Sequence, residues 1–141
     1  MAIVDFNIDL IAVLISAVAY TALGFVWYSD MLFGRQWRKI MKITASDVAK
    51  AKKKGMAMGF TATFVASIIS AFVLAQFVRL AGVSSALEGA MVGGVAWVGF
   101  IATVLLTSVV YESKPIKLYT INAGYHLVGF AVMGAILASM A

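Results

Sequence analysis

The sequence predicts an all-α integral membrane protein: a four-helix bundle with a short interfacial amphipathic helix between its first and second spans. Three observations carry this expectation. Four apolar stretches, at about 10–28, 55–80, 87–110 and 118–140, each exceed the ~18 residues that a helix needs to cross a bilayer. The hydrophobic content is 63% and the mean hydropathy +1.00, outside the soluble globular range. The cations, finally, gather in two connections. Of 11 Lys and Arg residues, Arg35, Arg38, Lys39, Lys42, Lys50, Lys52, Lys53 and Lys54 lie between spans 1 and 2, and Lys114 and Lys117 between spans 3 and 4. Only Arg79 is left for the other side, so both basic connections are expected in the cytoplasm and both termini outside. Residues 1–141 then form a single membrane domain with a basic cytoplasmic loop at 29–54.

Span 1 begins after Asp5 and Asp9, which stand where a signal peptide carries its basic region. No Ala-x-Ala-like site interrupts the apolar run before Tyr28, so this span is expected to be retained. It closes on Trp27 and Tyr28, rings with a polar edge that suit the headgroup level. Beyond it, Phe33, Trp37, Ile40 and Met41 recur at helical spacing, with Arg35, Arg38, Lys39 and Lys42 on the opposite arc. This is the pattern of a helix lying in the interface, apolar face down. Gly34 is a weak point in its first turn.

Thr44 and Asp47 have capping-box spacing, with Thr44 as N-cap. The helix they open is expected to run on through Lys50–Lys54 into span 2 as one element of about 35 residues, about 50 Å long. A short turn leads to span 3, where Arg79 and Glu88 are placed to pair across the external rim at little gain in stability. The only proline, Pro115, lies between spans 3 and 4, so all four spans read as uninterrupted, unlike the broken helices of many secondary transporters.

Lipid gives helices no hydrophobic drive to associate, so small residues mark close approach. Gly55/Gly59 and Gly89/Gly93 both have GxxxG spacing, Ala131/Ala135 has the same spacing in span 4, and Gly124, Gly129 and Gly134 are spread around that span. These pairs read first as packing within the bundle and second as a dimer face. A homo-oligomer is expected, because four short spans enclose little.

Polar residues gather in the cytoplasmic half of the bilayer: Tyr20 and Thr21, then Thr61, Thr63 and Ser67, then Thr103 and Thr107, then Asn122, Tyr125 and His126. Asn122 and His126 are four residues apart and share a face. An ionisable group at this depth is a functional candidate, and imidazole can move protons near neutral pH. The plainer alternative is an interhelical hydrogen bond from a neutral ring to a Thr, Tyr or carbonyl. Trp97 lies deep for a belt residue, and its N–H needs a partner. Asn122, Tyr125, His126, Thr103, Trp97 and Tyr20 are therefore the candidate intramembrane site.

Several function classes are disfavoured. No cysteine is present and there is one histidine, so neither thiolate nor imidazole metal sites are expected, and no cofactor is implied. Asp5 and Asp9 lie outside while His126 is within the membrane, so no catalytic constellation assembles and an enzyme is not expected. The net charge of +5 is concentrated beside spans and reads as anionic-lipid contact through the eight cations of loop 29–54, not as a nucleic-acid signal.

The segment Gly24-Phe25-Val26-Trp27-Tyr28-Ser29, followed by Leu32-Phe33-Gly34 and Trp37, resembles the signature of an uncharacterised bacterial membrane family, domain of unknown function family 1761. Trp97-Val98-Gly99-Phe100, Tyr111-Glu112 ahead of Lys114-Pro115, and Ile121-Asn122-Ala123-Gly124-Tyr125 are similar to its later blocks. The resemblance implies four spans without an assigned activity; Asp30 stands where it implies proline. It also implies that Trp27, Tyr28, Phe33, Gly34 and Trp37 form a fixed interfacial turn rather than a loose strip. Two functions are then carried forward for a multi-pass protein of a bacterial or archaeal inner membrane. One is a small-solute or proton-linked permeation unit acting as an oligomer through Asn122, Tyr125 and His126. The other is a non-transporting accessory or lipid-interacting scaffold that uses the basic segment.

Overall fold

The computed structural model describes residues 3–141, and every regular element among them is helical. In order these are α1 (Leu10–Trp27), α2 (Gly34–Ile40), α3 (Ala45–Lys54), α4 (Ala57–Ala81), α5 (Ala86–Trp97), a π-helical turn over Val98–Ala102, α6 (Thr103–Val110) and α7 (Ile116–Ser139). Four continuous helices are long and apolar enough to cross a bilayer: α1, α4, the run Ala86–Val110 and α7.

Local chemistry sets the starts and stops. Asp9 caps α1, its carboxylate accepting from the N–H groups of Ile11 at 3.0 Å and Ala12 at 3.3 Å. Thr44 and Asp47 form the expected capping box on α3, and the two bonds from Thr44 hold the Asp47 carboxyl below its ordinary range. The expected 35-residue helix is not formed. It breaks at Gly55, whose φ of +81° ends α3 directly after Lys52, Lys53 and Lys54, cations that suit a helix C-terminus. The third long helix also departs from expectation, widening by a π turn at Val98–Ala102. Two hydroxyls serve carbonyls of that stretch: Thr103 donates to Gly99 O and Tyr119 of α7 to Ala102 O, both at 2.8 Å.

α7 is the hub, packed against α1, α4 and α5 and the most covered of the four long helices. Its seam with α5 is backbone against backbone. A Cβ on Gly89 would lie 2.1 Å from Gly134 O, and one on Gly93 2.1 Å from Phe130 O. Gly55 and Gly59, with the same spacing, face open space and pack against nothing. α4 and α5 meet sparingly and leave apolar grooves beside Phe77, Ala96 and Phe100. Large apolar side chains such as Leu87, Val95 and Phe100 stand exposed around the helices, the surface that a hydrocarbon solvent calls for.

The end opposite the basic segment is tied to the N-terminal residues. Buried Gln76 accepts from Asp5 N–H at 2.9 Å and donates to Asp5 O at 3.0 Å, and Arg79 donates to Ile3 O at 2.8 Å. The expected Arg79–Glu88 pair is replaced: Glu88 takes the Ser85 hydroxyl at 2.8 Å, within the cap of α5.

Candidate functional site

Two groups of residues that the sequence keeps apart, the intramembrane candidates and the interfacial signature, meet at the end of the bundle nearest the basic segment. α1 contributes Tyr20, Trp27 and Tyr28; α7 contributes Asn122, Tyr125 and His126. The positions are helical repeats. Tyr20 and Trp27 are seven apart on α1, and Asn122 and His126 four apart on α7, so each set projects from one side of its helix.

Every polar atom named here closes onto a neighbour. The Tyr20 hydroxyl shares a hydrogen bond with His126 Nδ1. Tyr125 donates to the Tyr20 carbonyl at 2.8 Å, and Tyr28 donates to Asn122 Oδ1 at 2.8 Å. Trp27 Nε1 donates to Ile121 O at 2.9 Å. Trp97 Nε1 likewise donates to Ala123 O at 2.8 Å, so the ring N–H groups of Trp27 and Trp97 both end on α7 carbonyls. A carbonyl has two lone pairs, so Ile121 and Ala123 can accept a ring N–H and still serve the helix.

Ring packing extends the cluster. Tyr125 meets Tyr20 edge-on at 5.0 Å between centroids and Tyr28 at 5.6 Å, and His126 lies 4.9 Å from Tyr125. Outward, Trp27 contacts Phe33 at 4.9 Å and Tyr28 meets Trp37 edge-on at 5.7 Å, which anchors α2 to the spans. Glycines make room for these rings. A Cβ on Gly129 would sit 2.7 Å from the Tyr20 ring, on Gly124 3.2 Å from Trp27, and on Gly24 3.0 Å from the Tyr125 hydroxyl. This seating role was missed in the sequence. The five-residue spacing of Gly124, Gly129 and Gly134 was the available signal, and it could not say which rings would fill the notches.

Gly34 fixes the turn between α1 and α2. Its N–H donates to Ser29 O at 2.9 Å, Phe33 N–H to Trp27 O at 3.0 Å, and a Cβ would fall 2.3 Å from the Tyr28 carbonyl. Of the expected site residues, Tyr20 and Tyr125 are buried, while Trp97, Asn122 and His126 are partly buried. Thr103 is not brought in: it is exposed and its hydroxyl is spent on its own helix. Thr61 and Thr63 are likewise exposed on α4, and the polar layer reduces to α1, Ser67 and α7.

The eight basic candidates lie outside the cluster. Arg38 pairs with Asp30, holding that carboxyl below its ordinary range, and this is the one ion pair among the described residues. Arg35, Lys39, Lys42, Lys50, Lys52, Lys53 and Lys54 are exposed.

The aromatic cluster is assembled from the same blocks that carry the family resemblance, and the match spans nearly the whole chain. A model for the family described as "Protein of unknown function (DUF1761)" covers residues 11–138. No curated protein and no solved structure matches the chain. The chain belongs to the DUF1761 family.

Proposed function

We propose that the protein is a non-transporting, lipid-interacting membrane module whose basic segment, α2 and α3, gathers anionic lipid on the cytoplasmic face of an inner membrane. One observation carries the reading: seven exposed cations stand in a short segment with no carboxylate in ion-pair reach among the described residues. Each Lys or Arg held near an anionic surface contributes about 1 kcal/mol of attraction. The aromatic cluster supports the same reading from within. Its tyrosine hydroxyls and the N–H groups of Trp27 and Trp97 close on Asn122 Oδ1, His126 Nδ1 and backbone carbonyls, bonds that tie α1 and the run Ala86–Val110 to α7 as a scaffold requires.

The test is lipid selectivity in reconstituted membranes, read by electron spin resonance of spin-labelled phosphatidylglycerol and phosphatidylcholine. Wild type is expected to prefer phosphatidylglycerol, and changing Lys50, Lys52 and Lys53 together to Gln to remove most of that preference, as does high salt. An unchanged preference sinks the reading. A second reading, proton-linked permeation, is favoured by the Tyr20–His126 bond within the spans. In the same vesicles it requires a pH-dependent flux that His126→Leu abolishes, with the fold intact.

A further inference from the structure

Beside the aromatic cluster, α1 and the start of α4 part to leave a cleft of 800 Å³. That volume lies in the range of small-molecule sites. Phe25 and Phe60, stacked at 5.8 Å and both well exposed, form its outer wall. Thr21 and Tyr28 lie deeper, and Lys54 stands at its mouth. Gly59 lines the cleft and leaves it open, since even a Cβ there would meet nothing within 4 Å. The break at Gly55 completes the arrangement. It ends α3 with Lys54 at the cleft and starts α4 afresh at Ala57, with no side chain capping the new N-terminus.

We propose that this cleft holds one anionic phospholipid, an acyl chain against Phe25, Phe60 and Gly59 and the phosphate at Lys54. Any groove on a span fills with hydrocarbon; what singles this one out is charge complementarity at the correct end. Lys54 and the leading N–H groups of α4 both favour a negative headgroup, and Lys50 and Lys53 raise the local positive potential. The grooves between α4 and α5 lack this: their mapped lining beside Phe77 and Phe100 includes no Lys or Arg. The inference rests on the lipid-interacting reading, but it locates a stoichiometric site rather than a diffuse attraction.

Native mass spectrometry of detergent-purified protein, delipidated and then offered phosphatidylglycerol or phosphatidylcholine, tests it. Wild type is expected to keep one phosphatidylglycerol per chain and at least tenfold less phosphatidylcholine. Gly59→Phe should lose the bound lipid, because the ring fills the cleft, while Lys54→Gln keeps a lipid but loses the choice between headgroups. Gly94→Phe, which also enters open space, is the control and should match wild type. Unchanged elution and helical circular dichroism establish that Gly59→Phe is folded. Retention of the lipid by folded Gly59→Phe, or equal retention of both lipids by wild type, overturns the site. A dimer mass that Gly59→Phe removes, with no lipid on the monomer, gives the cleft to a second copy and also overturns it. Failure here with spin-label selectivity intact leaves the lipid-interacting reading standing; loss of that selectivity with one lipid still bound does the reverse.

Discussion

Tyr28 shows how much one side chain can join. Its hydroxyl reaches Asn122 on α7, its ring meets Trp37 on α2 and Tyr125 on α7, and its own carbonyl packs against Gly34. The last contact explains why position 34 is glycine. The backbone there is ordinary helix, so conformational freedom is not the reason; close approach is. A Cβ would fall 2.3 Å from the Tyr28 oxygen and 2.7 Å from that of Ser29, both backbone atoms, in a turn held by bonds from Leu32 and Gly34 to Ser29 O and from Phe33 to Trp27 O. Gly34→Val is therefore expected to cost about 1–3 kcal/mol or more, as overpacking does. The measurement is the folded yield and the dodecyl sulfate unfolding midpoint in mixed micelles, both lowered. Wild-type values for both would show that α2 is not clamped to the end of α1.

At the scale of elements, Gly55 decides whether α3 and α4 are one helix or two. Its positive φ is open to glycine and costs other residues about 1–3 kcal/mol, while its Cβ direction is empty. Gly55→Ala thus adds no clash and penalises the turn alone, favouring a continuous helix. The N–H groups of Ala57, Met58 and Gly59 would then gain partners four residues back, and their hydrogen exchange should slow. Unaltered exchange at those three amides would mean that something other than glycine sets the turn. The sequence made the start of α3 legible, because the Thr44–Asp47 box acts through neighbours only; Asp9 caps α1 just as locally, but in the sequence it stands out only for occupying the place of a signal peptide's basic region. It did not make the break legible. Gly55 fits both a GxxxG packing face and a helix stop, and the choice depends on what α4 packs against. The π turn is hidden for the same reason: its Ala102 carbonyl is served by Tyr119, from another helix.

For the molecule as a whole, four spans are legible because hydrophobic length is a local property, whereas the pairing of helices is not. Gly55/Gly59 and Gly89/Gly93 are the same motif, yet only the second touches another backbone. The candidate site was half legible for a related reason. Helical spacing put Asn122 and His126 on one face, but the rotation of α1 against α7 decides that Tyr20 and Tyr28, rather than Thr103, meet them. That rotation is set where α1 packs on α7, with Gly24, Gly124 and Gly129 seating the Tyr125, Trp27 and Tyr20 rings, and α7 is held in turn to α5 by the glycine seam. Gly89→Leu, with its Cβ 2.1 Å from Gly134 O, should therefore do more than loosen one contact. Separating α5 from the hub withdraws Trp97 from Ala123 and weakens the packing on which the aromatic cluster rests. We expect a loss beyond the ~1–3 kcal/mol usual for overpacking, because the new side chain meets the Gly134 carbonyl and the Ala138 Cβ, neither of which can swing aside. Gly94→Leu, one residue from the seam and facing open space, should be neutral or gain about 0.5–1 kcal/mol from helix propensity. Unfolding midpoints by far-ultraviolet circular dichroism compare the two variants directly. Equal midpoints would mean that α5 is held to α7 by general apolar contact rather than by the close backbone approach at Gly89 and Gly134.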